Sequence, residues 1–231
     1  MIVPPADGAV PPEPPVLYPD LQFIARGMAL PELTPEGYDS VIDHTASLAR
    51  QLKEEGADAV SLMGTSLSFY RGPAGNAEVL AAMTGATGQP VTTMTDSVVA
   101  ALQVFGAKRL AVATAYTDVV NDRLRSYLAH EGFEVVSLAS LDLTEVVAIQ
   151  ATTTEDLVTL GNEAVKAADR PDAVFISCGG LRTLPAILPL ENQTGLPVIS
   201  SATAGAWGAA RLVGHSGHAP GFGRLFEVEI G

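Results

Sequence analysis

The chain has a single cysteine, Cys178, among 231 residues. One cysteine cannot form an internal disulfide, and no cysteine or histidine cluster has the spacing of a zinc site. A lone thiol favours a reducing, cytoplasmic location, because structural disulfides are rare there. The sequence therefore predicts a protein that binds no metal and is not stapled by disulfides.

Positive charge is also scarce, with 13 lysine and arginine residues against 26 aspartate and glutamate residues and a formal charge of −13. This balance repels phosphate backbones, so we expect no nucleic-acid partner. The longest uncharged stretch, residues 192–210, contains a proline and three glycines, which makes a membrane span improbable. The hydrophobic content of 47% instead predicts a folded core.

The start of the chain, MIVPP, has neither the basic region nor the long apolar core of a secretory signal. A strand is predicted to begin at Met1 itself, which suggests that a short leader precedes this numbering. The proline-rich segment PPEPPVLYP that follows is predicted to be a loop over a cleft.

Two parts of the chain resemble each other. ADAVSLMGTSL (residues 57–67) matches PDAVFISCGGL (residues 171–181), and TGQPV (residues 87–91) matches TGLPV (residues 194–198). The offsets are 114 and 107, and the two matches occur in the same order. This pattern indicates an internal duplication.

Each half reads as alternating strands and helices. Residues 33–57 predict a helix with Thr34 as N-cap. Residues 117–132 predict an amphipathic helix with Val119, Leu124 and Leu128 on its apolar side. Buried strands are predicted at ADAVSLM, KRLAVATAY, FEVVSLASL, DAVFISC and LPVISS.

This alternation is typical of parallel sheets covered by helices on both faces. The sequence therefore predicts an α/β fold of two pseudo-symmetric, Rossmann-like domains with the active site in the cleft between them. Residues 1–105 with 206–231 are predicted to form the first half, and residues 106–205 the second.

The candidate site residues follow predicted strands, where open α/β sheets bind ligands. Thr65 and Ser66 could cap a helix or bind an anion, and Tyr116 could pack or donate a hydrogen bond. Cys178 could be a packing residue, a nucleophile or a proton donor. In the internal repeat it aligns with Gly64, so one side of the cleft carries a thiol and the other does not.

Several motifs resemble one known family: LYPDL, LTPEGYD, SLMGTSLSFYRG, ATAY and SCGGL are similar to those of arylmalonate decarboxylases. These are twin-domain enzymes of the aspartate/glutamate racemase superfamily, and the resemblance runs from Met1 to Phe226. It implies decarboxylation of 2-aryl- or 2-alkenylmalonates, with a small dicarboxylate as substrate and no metal or organic cofactor. It also allows a monomer, because each chain supplies both halves of its cleft.

The resemblance further implies a role for each site residue. Thr65, Ser66, Tyr116 and Gly179 would form a dioxyanion hole for an enediolate, and Cys178 would protonate one face of it. The other substrate-binding positions would be Pro4, Pro5, Leu30, Leu33, Tyr38, Gly64, Val146, Ile149 and Gly180. Of these, Tyr38 would be a supporting donor, and the aliphatic side chains would line an apolar pocket.

Two alternatives remain at this point. A racemase or cis-trans isomerase of the same superfamily typically carries one cysteine in each half. This chain has Gly64 where the first cysteine would stand, which disfavours this alternative. A non-catalytic protein that binds small carboxylic acids would keep the anion-binding groups without needing Cys178. The fold alone does not separate these functions.

Overall fold

The computed structural model describes residues 1–228 and contains two parallel sheets of four strands each. The strands are β1 (Ile2–Val3), β2 (Arg26–Gly27), β3 (Val60–Leu62), β4 (Val91–Thr93), β5 (Arg109–Thr114), β6 (Glu134–Ser140), β7 (Ala173–Ser177) and β8 (Val198–Ser200). The strand order is β2-β1-β3-β4 in the first sheet and β6-β5-β7-β8 in the second. The predicted α/β class with parallel sheets is confirmed.

Helices cover the sheets and connect the strands. They are α1 (Glu13–Leu17), α2 (Pro35–Val41), α3 (Thr45–Glu54), α4 (Thr65–Phe69), α5 (Gly72–Thr87), α6 (Met94–Val104), α7 (Asp118–His130), α8 (Val146–Gln150), α9 (Thr154–Ala167), α10 (Leu184–Thr194) and α11 (Ser201–Leu212). Two 3₁₀ turns span Ile42–His44 and Arg224–Glu227. Within residues 1–228, no helix is both long and apolar enough to cross a membrane.

The two sheets repeat one topology. Replacing β1, β2, β3 and β4 by β5, β6, β7 and β8 reproduces the strand order, as expected for the duplication. The last strand of each sheet runs directly into a helix, α6 or α11, and these two helices pack against each other. The proposed boundaries at residues 105 and 206 stay a prediction, and residues 229–231 lie outside the described part.

Strand register places the candidate site residues. Residues of β5 and β7 are almost all buried because helices cover both faces of their sheet. The register pairs Thr114 with Ser177 at the carboxyl ends of these strands. Ala115 and Cys178 are the next residues after these two strands, and Tyr116 follows one residue later, where its hydroxyl reaches the Cys178 thiol.

Two helix predictions need correction. The Thr34 hydroxyl accepts a hydrogen bond from the Gly37 N–H at 3.2 Å, which confirms Thr34 as the N-cap. The single helix predicted over residues 33–57 is instead divided into α2 and α3 by the 3₁₀ turn Ile42–His44. In α7, Val119 is 57% exposed and Val120 faces the core, so the predicted position of Val119 was wrong. Val120 precedes Leu124 by four residues, and this spacing puts both on one helix face.

The proline-rich segment also differs from the prediction, because it contains the short helix α1 as well as loop. Pro14 lies at the beginning of this helix, where a missing N–H costs no helical hydrogen bond. The Tyr18 hydroxyl, just after the helix, donates to the Gly217 carbonyl at 3.0 Å. This bond fastens the segment to the C-terminal part of the chain.

Candidate active site

A cavity of about 410 Å³ lies where the carboxyl ends of the strands of both halves meet. The predicted site residues that line it are Pro4, Pro5, Leu30, Leu33, Gly64, Thr65, Ser66, Val146, Ile149, Cys178, Gly179 and Gly180. The other lining residues are Val3, Asp7, Ala9, Val10, Pro11, Pro12, Glu13, Met63, Gln150, Leu181 and Arg182, of which Pro11, Pro12 and Glu13 belong to the segment predicted to lie over a cleft. The cavity thus joins both copies of the repeat.

Cys178 follows β7 directly and is 3% exposed. Burial raises the pKa of its thiol from 9.0 to about 11, against the opposing effect of the Gly180 N–H, the Tyr116 hydroxyl and the Leu181 N–H. The thiol therefore keeps its proton at neutral pH. These three donors would stabilise a thiolate formed after the proton is given away.

Tyr116 and Tyr38 lie behind the cavity surface and are not among its lining residues. The Tyr116 hydroxyl accepts a hydrogen bond from Ser177 Oγ at 3.4 Å, and burial raises the pKa of this phenol well above its usual value. Burial also raises the pKa of Tyr38, whose hydroxyl has no hydrogen-bond partner among residues 1–228. Both phenols are protonated donors at neutral pH.

Thr65 and Ser66 begin α4, immediately after Gly64. The Thr65 hydroxyl donates to Met94 Sδ at 3.0 Å. The backbone carbonyl of Thr65 accepts from Ser68 Oγ at 2.9 Å and from Thr95 Oγ1 at 3.0 Å. The carbonyl bonds fix the backbone of Thr65. A thioether is a weak acceptor, so a ligand oxygen in the cavity would take over the hydroxyl bond.

The turn of the second half lies against the first half at Gly179. A Cβ atom at this position would stand 2.9 Å from Met94 Sδ and 3.3 Å from the Met63 carbonyl oxygen. Such contacts leave space for glycine alone unless the neighbours move. The Gly179 N–H makes no hydrogen bond to another group of residues 1–228 and is available to a ligand.

Another side of the cavity is apolar. It includes Leu30 and Leu33 from the segment after β2, and Val146 and Ile149 from α8. The Leu33 N–H donates to the Thr144 carbonyl at 3.2 Å, which ties the two segments together. The prolines at positions 4, 5, 11 and 12 add apolar rings and have no N–H to donate.

Three charged side chains line the cavity, those of Asp7, Glu13 and Arg182, and none of them was a predicted site residue. Glu13 is 4% exposed, and burial raises the pKa of its carboxyl group, opposed by its own N–H and by the charge of Arg182. Among the described lining residues, Arg182 is the only arginine or lysine, and it is exposed. Glu13 lies in the segment predicted to be a loop over the cleft, but no sequence signal gave its side chain a role or placed it near Arg182.

Potential metal ligands are dispersed over the structure. Among residues 1–228, no group of three or more histidine, cysteine, aspartate or glutamate side chains is arranged to hold a metal ion.

The repeated sheets, the shared cavity and the buried thiol at its edge define a twin-domain α/β enzyme. The family model described as arylmalonate decarboxylase matches residues 1–226. The arylmalonate decarboxylase of Bordetella bronchiseptica is 51% identical over 228 residues, covering 98% of this chain and 95% of that protein. The chain belongs to the arylmalonate decarboxylase family.

Solved structures agree with this assignment. A liganded arylmalonate decarboxylase, with one glycine changed to cysteine and one cysteine to serine, has a TM-score of 0.96 at 50% identity, covering 98% of this chain and 97% of that chain. A maleate isomerase from Pseudomonas putida S16 has a TM-score of 0.90 at 23% identity, covering 99% and 97%. The second likeness concerns the fold alone.

Proposed function

We propose that this protein decarboxylates 2-aryl- or 2-alkenylmalonates to 2-arylalkanoic acids, enantioselectively and without a cofactor. Family membership and the 51% identity to a decarboxylase of arylmalonates support the reaction class. The observation that carries the mechanism is the asymmetry of the cavity: one thiol, at Cys178, and a glycine at the matching position of the other half.

The first step breaks the bond between the α-carbon and one carboxylate. Carbon dioxide leaves as a neutral molecule, and the bonding electron pair passes to the remaining carboxylate, which becomes an enediolate. The donors proposed to hold its two oxygens are Thr65, Ser66 and the Gly179 N–H, which line the cavity, together with Tyr116, which lies just behind the cavity surface. Fixed donors of this kind typically lower a barrier by about 3–4 kcal/mol each.

The apolar side of the cavity is the proposed site of the departing carboxylate. The side chains of Leu30, Leu33, Val146 and Ile149 would remove water from this charged group. An ionised carboxylate is poorly solvated by these side chains, whereas neutral carbon dioxide carries no charge that needs solvation. The surroundings therefore favour loss of the carboxylate as carbon dioxide.

The second step is protonation of the α-carbon. The S–H bond of Cys178 breaks, a C–H bond forms, and the resulting thiolate regains a proton from water. A thiol whose pKa is about 11 is protonated before each turnover. Because Gly64 carries no acid on the other side, the proton arrives on one face and gives one enantiomer.

The test uses phenylmalonate and 2-methyl-2-phenylmalonate, with and without a chelator. We expect carbon dioxide release in both conditions and one enantiomer of 2-phenylpropionate. Cys178→Ser should lose nearly all turnover yet still bind phenylacetate, because the anion-binding donors remain. The exposed Ser126 in α7 provides a matched control, and Ser126→Ala should behave as the unmodified protein does.

Absence of turnover on every arylmalonate would remove the proposed function, and full activity of Cys178→Ser would remove the proton-donor role. Two further incubations address the alternatives. Conversion of maleate would indicate an isomerase, and racemisation of optically pure 2-phenylpropionate would indicate a racemase. Binding of phenylacetate without turnover of any of these compounds would indicate a carboxylate-binding protein.

A further inference from the structure

The backbone at Cys178 has an unusual conformation. Its φ is +147°, in a region that residues with a side chain rarely adopt. Such a conformation persists only when neighbouring groups hold it in place. The groups that hold Cys178 are therefore of interest, since they fix the direction of the thiol.

Two neighbouring serines fasten the turn that contains Cys178. The Cys178 N–H donates to Ser201 Oγ at 3.3 Å. At the other end of the turn, Thr183 Oγ1 lies 2.6 Å from Ser200 Oγ. Both serines and Thr183 are completely buried, so water does not compete for these bonds.

The serines are themselves well fixed. Ser200 ends β8 and caps α11, where its hydroxyl accepts from the Thr203 N–H at 3.3 Å. Ser201 is the first residue of α11. The turn after β7 is thus attached at two points to the junction between the edge strand β8 and the helix α11.

We propose that Ser201, supported by Ser200, is a positioning residue that holds Cys178 in its strained backbone conformation and aims the thiol at the substrate. This inference rests on the proposed decarboxylase function. Ser201 does not line the cavity and acts through Cys178. Its hydroxyl also occupies the Cys178 N–H, whereas the next N–H, that of Gly179, makes no hydrogen bond within residues 1–228.

The other copy of the repeat supports this assignment. The offset of 107 aligns Ser201 with Met94, and the offset of 114 aligns Cys178 with Gly64. Thr93 caps α6 as Ser200 caps α11, so the junction itself is repeated. The half without a thiol thus lacks the serine hydroxyl at this position.

The strain is missing from that half as well. Gly64 has φ −140°, an ordinary extended value, although glycine would tolerate a positive φ. The serine hydroxyl and the strained backbone thus occur together, in the half that carries the thiol.

The principal test is Ser201→Ala. We expect kcat for phenylmalonate to fall about 10- to 100-fold, because small displacements of a reacting group are costly, and KM to change less than about threefold. With 2-methyl-2-phenylmalonate as the substrate, the enantiomeric purity of the 2-phenylpropionate formed should also fall. The control is Ser137→Ala, which removes a hydroxyl bond of 2.6 Å to the Ala164 carbonyl, far from this turn, and should leave the kinetic constants unchanged.

A second measurement does not depend on turnover. Cys178 is the only thiol, so alkylation by iodoacetamide reports on it alone. Alkylation should be faster in Ser201→Ala than in the unmodified protein or in Ser137→Ala, because the turn is released. This readout tests the positioning role even if arylmalonates are not substrates, in which case the proposed function fails separately.

Ser200→Ala provides a further arm if Ser201→Ala does not fold. It cuts the other attachment of the turn and should lower kcat in the same direction with little change in KM. Either variant with kcat within twofold of the unmodified protein and an unchanged alkylation rate would overturn the proposal. A rise in KM without a fall in kcat would also overturn it.

Discussion

The Cys178 thiol should ionise only at strongly alkaline pH. Burial raises its pKa from 9.0 to about 11, because the cavity wall solvates a thiolate poorly. At pH 8, a thiol with pKa 11 is ionised to roughly 0.1%, against roughly 9% for one with pKa 9, a difference of about a hundredfold. The proton that Cys178 is proposed to donate is therefore retained over the whole physiological range.

The same shift affects the free energy of unfolding. The folded protein holds this proton more tightly than the unfolded chain, so the stabilisation is complete below pH 9 and is lost as the pH rises towards 11. Two pKa units correspond to about 3 kcal/mol. The protein should therefore become less stable above pH 9.

The assay is alkylation with iodoacetamide between pH 7 and 10.5, in buffers of constant ionic strength. Because the chain has one cysteine, the rate constant describes Cys178 without interference. The logarithm of the rate constant should rise by one unit per pH unit up to pH 10, without reaching a plateau. The denatured protein provides the control and should level off near pH 9. A plateau below pH 9.5 in the folded protein would refute the reasoning.

Three further substitutions have defined outcomes. In Gly64→Cys the new Cβ lies 2.6 Å from Leu67 Cδ1, so the variant should fold once the end of this flexible side chain moves. It should slowly racemise optically pure 2-phenylpropionate at the expense of decarboxylation. If the acid stays optically pure, the two-face mechanism is contradicted. Glu13→Gln should raise the melting temperature at pH 8 and have little effect at pH 4. Burial raises the pKa of the Glu13 carboxyl group, so the folded protein loses stability as this group ionises with rising pH. Equal changes in melting temperature at both pH values would disprove this. Arg182→Gln should raise KM for phenylmalonate about three- to tenfold at low salt and less at high salt, through loss of attraction for a dianion. Arg50→Gln, on α3, is the control, and an unchanged KM in Arg182→Gln would refute this role.

The parallel-sheet fold was predictable because its signals are local. Buried β-branched runs, the Thr34 cap and the duplicated strand–turn segments each lie within a few residues of sequence. The break after Val41 was not predictable from the helical pattern, because the buried side chains of Val41 and Ile42 settle it through tertiary packing. Val119 was misplaced for a similar reason, since either of two adjacent valines satisfies the helical spacing.

The site was predictable where motifs follow strands and unpredictable where distant segments meet. Cys178 and Thr65 stand at strand ends, and strand register brings their surroundings together. Glu13 and Arg182 line the same cavity although they stand 169 positions apart in the sequence, and the predicted loop over the cleft did not indicate that Glu13 would lie near Arg182. The roles of the individual residues, the monomeric state and the cytoplasmic location stay predictions.

The four prolines at the cavity have a consequence for the choice of substrate. The four proline residues have no N–H to donate to an oxygen atom, and their pyrrolidine rings hold their shape when a molecule enters. Under the proposed function, a compound with two equivalent acid groups would be oriented as it binds: one group would find hydrogen-bond donors, and the other would face these rings. Widening the cavity at these prolines should admit bulkier aromatic compounds without disturbing which of the two groups is lost.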